Sequence, residues 1–141
     1  MENKLVVTWN QFEEDCRILA NKIAEDRAVI PGILAVTRGG LFVAGIISHL
    51  LNIRNVQTLC LESYSSCKKR QELIQHNNIE TIPTDFLVVD DLVDSGGTLN
   101  YINNLGFEDS AVVYRKSSTR CEPSFFVEEM PADRWIVFPW E

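Results

Sequence analysis

Apolar residues at Phe12, Cys16, Leu19 and Ile23 recur three and four apart, which predicts an amphipathic helix running to about Glu25. Just before it, Thr8-Trp9-Asn10-Gln11 has the Thr-x-x-Gln spacing of a capping box. The pattern then changes. Ile33-Leu34-Ala35-Val36 is continuously apolar and reads as a buried strand, Gly39-Gly40 turns the chain, and Leu41 to Leu51 reads as an apolar helix. Further strands are predicted at Val56–Leu61, Phe86–Val89, Ala111–Tyr114 and Phe125–Val127, with a helix from about Gly97 to Asn104. Strands that are apolar on both faces and alternate with helices imply an α/β fold, a central, mostly parallel sheet flanked by helices. Ligands in such folds bind beyond the carboxyl ends of the strands, where both Gly-Gly turns fall.

Between Glu62 and Thr84 the periodicity fails. The segment is polar, carries Lys68-Lys69-Arg70, and shows order only at Gln71 to Gln75. Two readings stand side by side: a flexible active-site loop, or an ordinary element, a helix or an edge hairpin, that the pattern fails to show.

Composition narrows the function. At 141 residues, the sequence fits a single domain spanning 1–141. Thirteen Lys and Arg against twenty Asp and Glu give a net charge of −7, which opposes a nucleic-acid surface. The longest apolar run, Phe42 to Leu51, contains Ser48 and His49 and is too short for a transmembrane segment, so a cytoplasmic protein is expected, with peripheral membrane association left open. Cys16, Cys60, Cys67 and Cys121 show no paired C-x-x-C spacing, which argues for reduced, mostly buried thiols rather than zinc.

The chemistry is concentrated in Val88-Val89-Asp90-Asp91-Leu92-Val93-Asp94-Ser95-Gly96-Gly97-Thr98. Asp94 to Thr98 suits a phosphate cradle at a helix N-terminus. Three carboxylates in the same stretch oppose it, since one charge about 6 Å from a phosphate costs roughly 3 kcal/mol at an effective dielectric near 20. A purely structural reading makes the acids solvated loop residues and helix caps, but two acids ending a central strand before Ser-Gly-Gly-Thr are not generic. An aspartic-protease reading of Asp94-Ser95-Gly96 conflicts with the alternation of strands and helices. A third reading divides the labour: amides take the phosphate, while Asp90 and Asp91 accept from sugar hydroxyls and share a divalent cation that cancels the repulsion.

That run resembles the phosphoribosyl pyrophosphate signature of the type I phosphoribosyltransferases. The likeness extends along the chain to the bacterial xanthine-guanine branch of that family. Val7-Thr8-Trp9 resembles its V-T-W, Ala35-Val36-Thr37-Arg38-Gly39-Gly40-Leu41 its A-V-S-R-G-G-L, and Ser63-Tyr64 the start of its flexible loop. Lys116 falls in its A-K pair, and Trp135 to Glu141 resembles its W-I-E-Q-P-W-D. Departures are Ser117-Ser118, where Pro and Ala are usual, and the loop from Ser65 to Thr84, which matches only at Arg70 and Glu72-Leu73.

The resemblance implies the type I phosphoribosyltransferase fold and transfer of 5-phosphoribosyl from phosphoribosyl pyrophosphate to a 6-oxopurine base, dependent on Mg²⁺. It assigns the donor to Arg38, Gly39, Arg70, Asp90, Asp91, Leu92, Val93, Asp94, Ser95, Gly96, Gly97 and Thr98, and the metal to Asp91. Asp94 would be catalytic, facing N7 of the purine, with helix capping as its plainer alternative. Lys116 would donate to O6, Trp135 would stack on the base, and Ile136 would offer backbone carbonyls to position 2; carbonyls accept, so guanine is expected first, then xanthine, then hypoxanthine. A cis peptide is implied beside Arg38, and a homotetramer or homodimer is expected. Trp9 and Trp140 are read as core. Two alternatives accompany this: a sensor of phosphoribosyl pyrophosphate with the same fold but no transferase activity, or a transferase for another 6-oxopurine such as hypoxanthine.

Overall fold

The computed structural model describes residues 3–65 and 71–141. In chain order the elements are β1 (Lys4–Val6), α1 (Trp9–Asp26), β2 (Ile33–Thr37), α2 (Gly40–Leu50), β3 (Val56–Ser65) and β4 (Gln71–Gln75). They continue with β5 (Leu87–Val93), α3 (Gly97–Asn104), β6 (Ser110–Lys116), β7 (Phe125–Met130) and β8 (Trp135–Val137). A six-stranded sheet has the order β4-β3-β2-β5-β6-β7, and a two-stranded sheet pairs β1 with β8. Every pairing in the large sheet is parallel except that of β3 with β4.

Continuous apolar strands have both faces covered. In β2, Ile33 and Ala35 pack with α1 and α2, whereas Leu34 and Val36 join Leu59, Val88, Ile102 and Phe107 on the opposite face. This is the period-2 alternation of a strand buried on both sides. α1 follows its predicted stripe, with Phe12, Cys16, Leu19 and Ile23 fully buried. Thr8 caps it, its Oγ1 accepting from the Gln11 N–H at 3.1 Å. The reciprocal half of the capping box does not form, because the Gln11 amide instead donates to Asp15 Oδ1 at 3.0 Å. Asp15 is buried and also accepts from the Tyr114 hydroxyl, which ties α1 to β6.

The sheet order positions the site. From β2 the chain crosses through α2 to β3 on one side, then returns to place β5 on the other. The connections leaving the carboxyl ends of β2 and β5 therefore diverge, and a crevice opens between them. Arg38-Gly39 and Asp94 to Gly96 sit on those two connections.

Two expectations change, at β5 and at Trp9, and two features that the sequence left open or unread become visible. β5 runs on to Val93, so Asp90 and Asp91 lie on the strand rather than in a loop. The three-residue strands β1 and β8 carry no alternation long enough to read from sequence. For the described residues after Glu62 the edge-hairpin alternative holds, with Leu61 pairing with Gln75 and Ser65 with Gln71 in an antiparallel arm at the edge of the sheet. The hairpin is anchored by side chains at its base, where Tyr101 Oη donates to Gln75 Oε1 at 2.6 Å. Residues 66–70, including Cys67 and Arg70, lie outside the described residues, and so does whatever part of the flexible-loop expectation falls on them. Finally, Trp9 is no core residue: it is 54% exposed, its ring 6.1 Å from Phe42 and 6.2 Å from Trp140. Among the described residues no helix is long and apolar enough to cross a membrane.

Candidate active site

The turn after β5 is shaped by Gly96. It sits at φ +97° as the N-cap of α3, and a Cβ there would meet the Cys121 N and Thr119 Oγ1, each at 2.8 Å. Only glycine combines that backbone with such close packing. The loop behind the turn is fixed by the Arg120 N–H, which donates to the Ser95 carbonyl at 3.0 Å. The Asn100 N–H donates to the Gly96 carbonyl at 2.8 Å and starts the helix, so the amides ahead of it have no helical partner. Those amides, with the Thr98 hydroxyl and the positive end of α3, make an anion cradle. Because Gly96 is the cap, Asp94 is not; its carboxylate is exposed and lines the cleft. The side chain of Val93 is buried with Leu99 and Val112, so it offers the site only its backbone. Leu92 is half-buried along the same wall.

Across the crevice, the Thr37–Arg38 peptide is cis, as the resemblance implied. Arg38 is exposed and lines the cleft. A Cβ on Gly39 would lie 2.2 Å from Asp91 Oδ2, and one on Gly40 would lie 2.5 Å from the Val89 carbonyl. The two motifs are thus in contact: the Asp91 carboxylate occupies the space a side chain at Gly39 would need, and the β5 backbone occupies that at Gly40.

Asp91 lines an open cleft of about 890 Å³, while Asp90 borders a narrower hollow of about 220 Å³ beneath the cradle. The hollow's walls combine the cradle residues Asp94 to Thr98 with the core residues Val88, Val112 and Ile102, and Leu92 and Asp94 are shared with the cleft. Burial pushes the Asp90 carboxyl well above the ordinary carboxylate range, and the Asp91 charge pushes it further. Asp91 is also raised by burial, but hydrogen bonds from Asp90 and from backbone N–H groups counter the rise. Of the pair, Asp90 holds a proton more firmly and Asp91 is better suited to remain the anion. One pair of hard oxygen donors fits a magnesium ion that completes its shell with ligand phosphates and water. Among the described residues no group of three or more His, Cys, Asp or Glu is gathered to hold a metal unaided.

The far end of the cleft comes from β6 and β8. Lys116 is only 6% exposed, and its ammonium donates to the Ala132 carbonyl at 3.2 Å, with two further protons free. Trp135 is 65% exposed, an unusual position for so apolar a ring, and it faces the same cleft. Ile136 is buried and pairs with Leu5. Of the proposed ligand-binding residues, Arg38, Gly39, Asp91, Leu92, Asp94, Lys116, Trp135 and Ile136 converge on this one cleft, with the cradle beside it. Arg70 lies outside the described residues.

Three contributors were not singled out from sequence as ligand contacts. Arg134 and Glu141 line the cleft, and Trp140, read as core, is half-buried in its wall. The Trp140 ring stacks on Phe42 with centroids 4.2 Å apart and on Phe138 at 4.8 Å. Arg38, Lys116 and Arg134 balance Asp91, Asp94 and Glu141, so a chain of net charge −7 presents a locally neutral cleft. Of the described cysteines, only Cys16 is fully buried; Cys60 and Cys121 are partly so, and all three are free thiols.

A phosphoribosyl transferase domain model matches residues 4–141. The xanthine-guanine phosphoribosyltransferase of Desulfotalea psychrophila is 36% identical over 136 residues, which cover 96% of this chain and 84% of that protein. The protein of the same name from Nitratidesulfovibrio vulgaris strain DP4 is 34% identical over 139 residues, covering 96% and 83%. Among solved structures, a purine phosphoribosyltransferase from Pyrococcus horikoshii superposes with a TM-score of 0.80 at 29% identity, covering 99% of this chain and 94% of that one. The Helicobacter pylori xanthine-guanine-hypoxanthine phosphoribosyltransferase gives 0.82 at 23% identity, covering 98% and 94%, a likeness of fold.

Proposed function

The chain belongs to the phosphoribosyl transferase family, and from that premise we propose that it is a purine-salvage enzyme. It would transfer 5-phosphoribosyl from phosphoribosyl pyrophosphate to guanine or xanthine, and more weakly to hypoxanthine, giving the nucleoside monophosphate and pyrophosphate. The observation that carries this reading is the adjacency of two chemically different sites that meet at Leu92 and Asp94: the anion cradle with Asp90 on one side, and on the other a cleft where Asp91 shares walls with an exposed Trp135 ring and the Lys116 ammonium. A sensor of the sugar phosphate alone has no use for the second site.

Each residue's part follows from its chemistry. The cradle amides and the Thr98 hydroxyl bind the 5′-phosphate, and Arg38 grips the pyrophosphate with a planar fork of donors. Asp90 and Asp91 accept from the ribose hydroxyls. Asp91, with Asp90, would hold Mg²⁺, which when bound supplies positive charge against the departing pyrophosphate. The carboxylates that oppose a phosphate are favourable beside a ribose that gains positive character as its bond to pyrophosphate breaks. Asp94, on the cleft's edge, takes the proton at the purine's N7. Trp135 covers the flat face of the base, and Lys116 donates to O6. Adenine carries an amine at that position, and an ammonium has nothing with which to accept from it, so adenine is rejected.

Purified protein supplied with Mg²⁺, phosphoribosyl pyrophosphate and each purine in turn tests the reading. Nucleotide forms with 6-oxopurines and not with adenine. Tight binding of phosphoribosyl pyrophosphate without turnover of any base would favour the sensor instead.

A further inference from the structure

Arg134 occupies the base end of the cleft with no assigned task. It closes the turn that precedes β8, its N–H donating to the Pro131 carbonyl at 3.0 Å, and its side chain lines the cleft beside Lys116 and Trp135. Its Nε is shut off from solvent and has no hydrogen-bond partner. Arg17, Arg27 and Arg115 each form ion pairs, whereas Arg134 forms none among the described residues. Neighbouring Asp133 faces elsewhere, accepting from Asn3 Nδ2 at 3.4 Å. Nε is enclosed by protein and out of a ligand's reach. The terminal nitrogens of the half-buried side chain, which form no hydrogen bond or ion pair among the described residues, are what the guanidinium offers to the cleft. An enclosed, unmatched arginine head at a cleft wall points to a partner on the ligand.

The turn that carries Arg134 is the one that Lys116 holds, through the Ala132 carbonyl. Two cations therefore flank Trp135 from different elements. With Lys116 assigned to O6 and Trp135 to the ring face, the neighbouring guanidinium is left for another edge of the purine. We propose that Arg134 is a specificity-determining residue that donates to an oxygen at purine position 2 and so favours xanthine. This inference rests on the purine-transfer reading above.

The three 6-oxopurines differ at that atom. Xanthine presents a carbonyl, which accepts; guanine presents an amine, which opposes a guanidinium because both only donate; hypoxanthine presents a carbon. Xanthine's second carbonyl also makes its ring N–H groups the most acidic of the three, and a second cation stabilises the resulting anion. Backbone carbonyls around Ile136 would by themselves favour guanine. Arg134 reverses that order and puts xanthine first.

The test compares wild type, Arg134→Met and Arg134→Lys, with Mg²⁺ and phosphoribosyl pyrophosphate, by kcat/KM for xanthine, guanine and hypoxanthine. Calorimetric binding of the xanthine and guanine nucleotides supplies a readout independent of turnover, and melting temperature reports on folding. Losing a charged hydrogen bond to the base should lower kcat/KM for xanthine in Arg134→Met by roughly ten- to a hundred-fold, chiefly through KM, with guanine unchanged or improved. Arg134→Lys keeps the charge and should recover part of the preference; should the Met variant not fold, this ratio and the nucleotide affinities of the Lys variant decide. An equal fall for all three bases, or an unchanged xanthine-to-guanine ratio, overturns the assignment while leaving purine transfer intact. Wild type that turns over none of the three overturns the reading beneath it, and this role with it.

Discussion

Replacing Gly39 by alanine tests whether the two motifs form one site. The added methyl would stand 2.2 Å from Asp91 Oδ2 and 2.6 Å from its Cγ. To reach the 3.4 Å of ordinary contact, the carboxylate must withdraw by about 1 Å, and a displacement of that size at a reacting centre typically costs about 10²-fold in rate. Overpacking should cost stability by about 1–3 kcal/mol. Two neighbours calibrate the result. Gly40→Ala would press its methyl onto the Val89 backbone carbonyl at 2.5 Å, where no side chain can swing away, so the loss should be chiefly of stability, again about 1–3 kcal/mol. Gly45, exposed in the middle of α2, has nothing within 4 Å of where a methyl would sit, and Gly45→Ala should stabilise by up to about 1 kcal/mol with activity unchanged. The assay is kcat/KM for phosphoribosyl pyrophosphate beside urea denaturation of all three variants. Wild-type turnover in Gly39→Ala would refute the coupling of Arg38-Gly39 to Asp91.

Removal of divalent metal by a chelator should abolish turnover, and Mg²⁺ should restore it; full activity in chelator would remove Asp91 from its assigned role. Asp94→Asn should lower kcat by about 10²–10⁴-fold with donor affinity little changed, measured by steady-state kinetics beside equilibrium binding; the reverse split would make Asp94 a binding residue only. Burial raises the Cys16 thiol from 9.0 to about 12 and raises the Tyr114 hydroxyl as well. In the unfolded chain both ionise first, so the stability they contribute is present below pH 9 and falls as pH rises towards 12, at no more than about 1.4 kcal/mol per pH unit for each proton. Alkaline urea titrations of wild type and Cys16→Ala should differ in slope over that window; parallel curves would contradict the assignment.

The elements with strong periods were legible in the sequence. Phe12, Cys16, Leu19 and Ile23 mark α1, and the apolar runs of β2 and β6 mark central strands, because burial on one stripe or on both faces leaves a direct trace in residue type. β1 and β8 left none: three residues hold no period, and their partners are more than a hundred residues away. The acids of β5 concealed its length, since polarity resembled a loop where the strand emerges into the cleft. For the site, glycines and acids at fixed spacing identified the cradle, and the family resemblance supplied Lys116, Trp135 and Ile136. Arg134 had no such signal. One arginine beside an aspartate in Ala132-Asp133-Arg134 reads as solvated charge, and only the fold reveals that its Nε is enclosed and unmatched.

The central claim is that the cradle and the cleft beside it divide the labour, phosphate to amides, sugar to carboxylates and base to Trp135 with Lys116. A crystal structure of the protein with guanosine or xanthosine monophosphate tests it most directly. The account predicts the 5′-phosphate on the backbone of Asp94 to Thr98, the ribose hydroxyls against Asp90 and Asp91, and the purine on Trp135 with O6 at Lys116 Nζ. A nucleotide bound with its phosphate at Lys116 or its base away from Trp135 would contradict it.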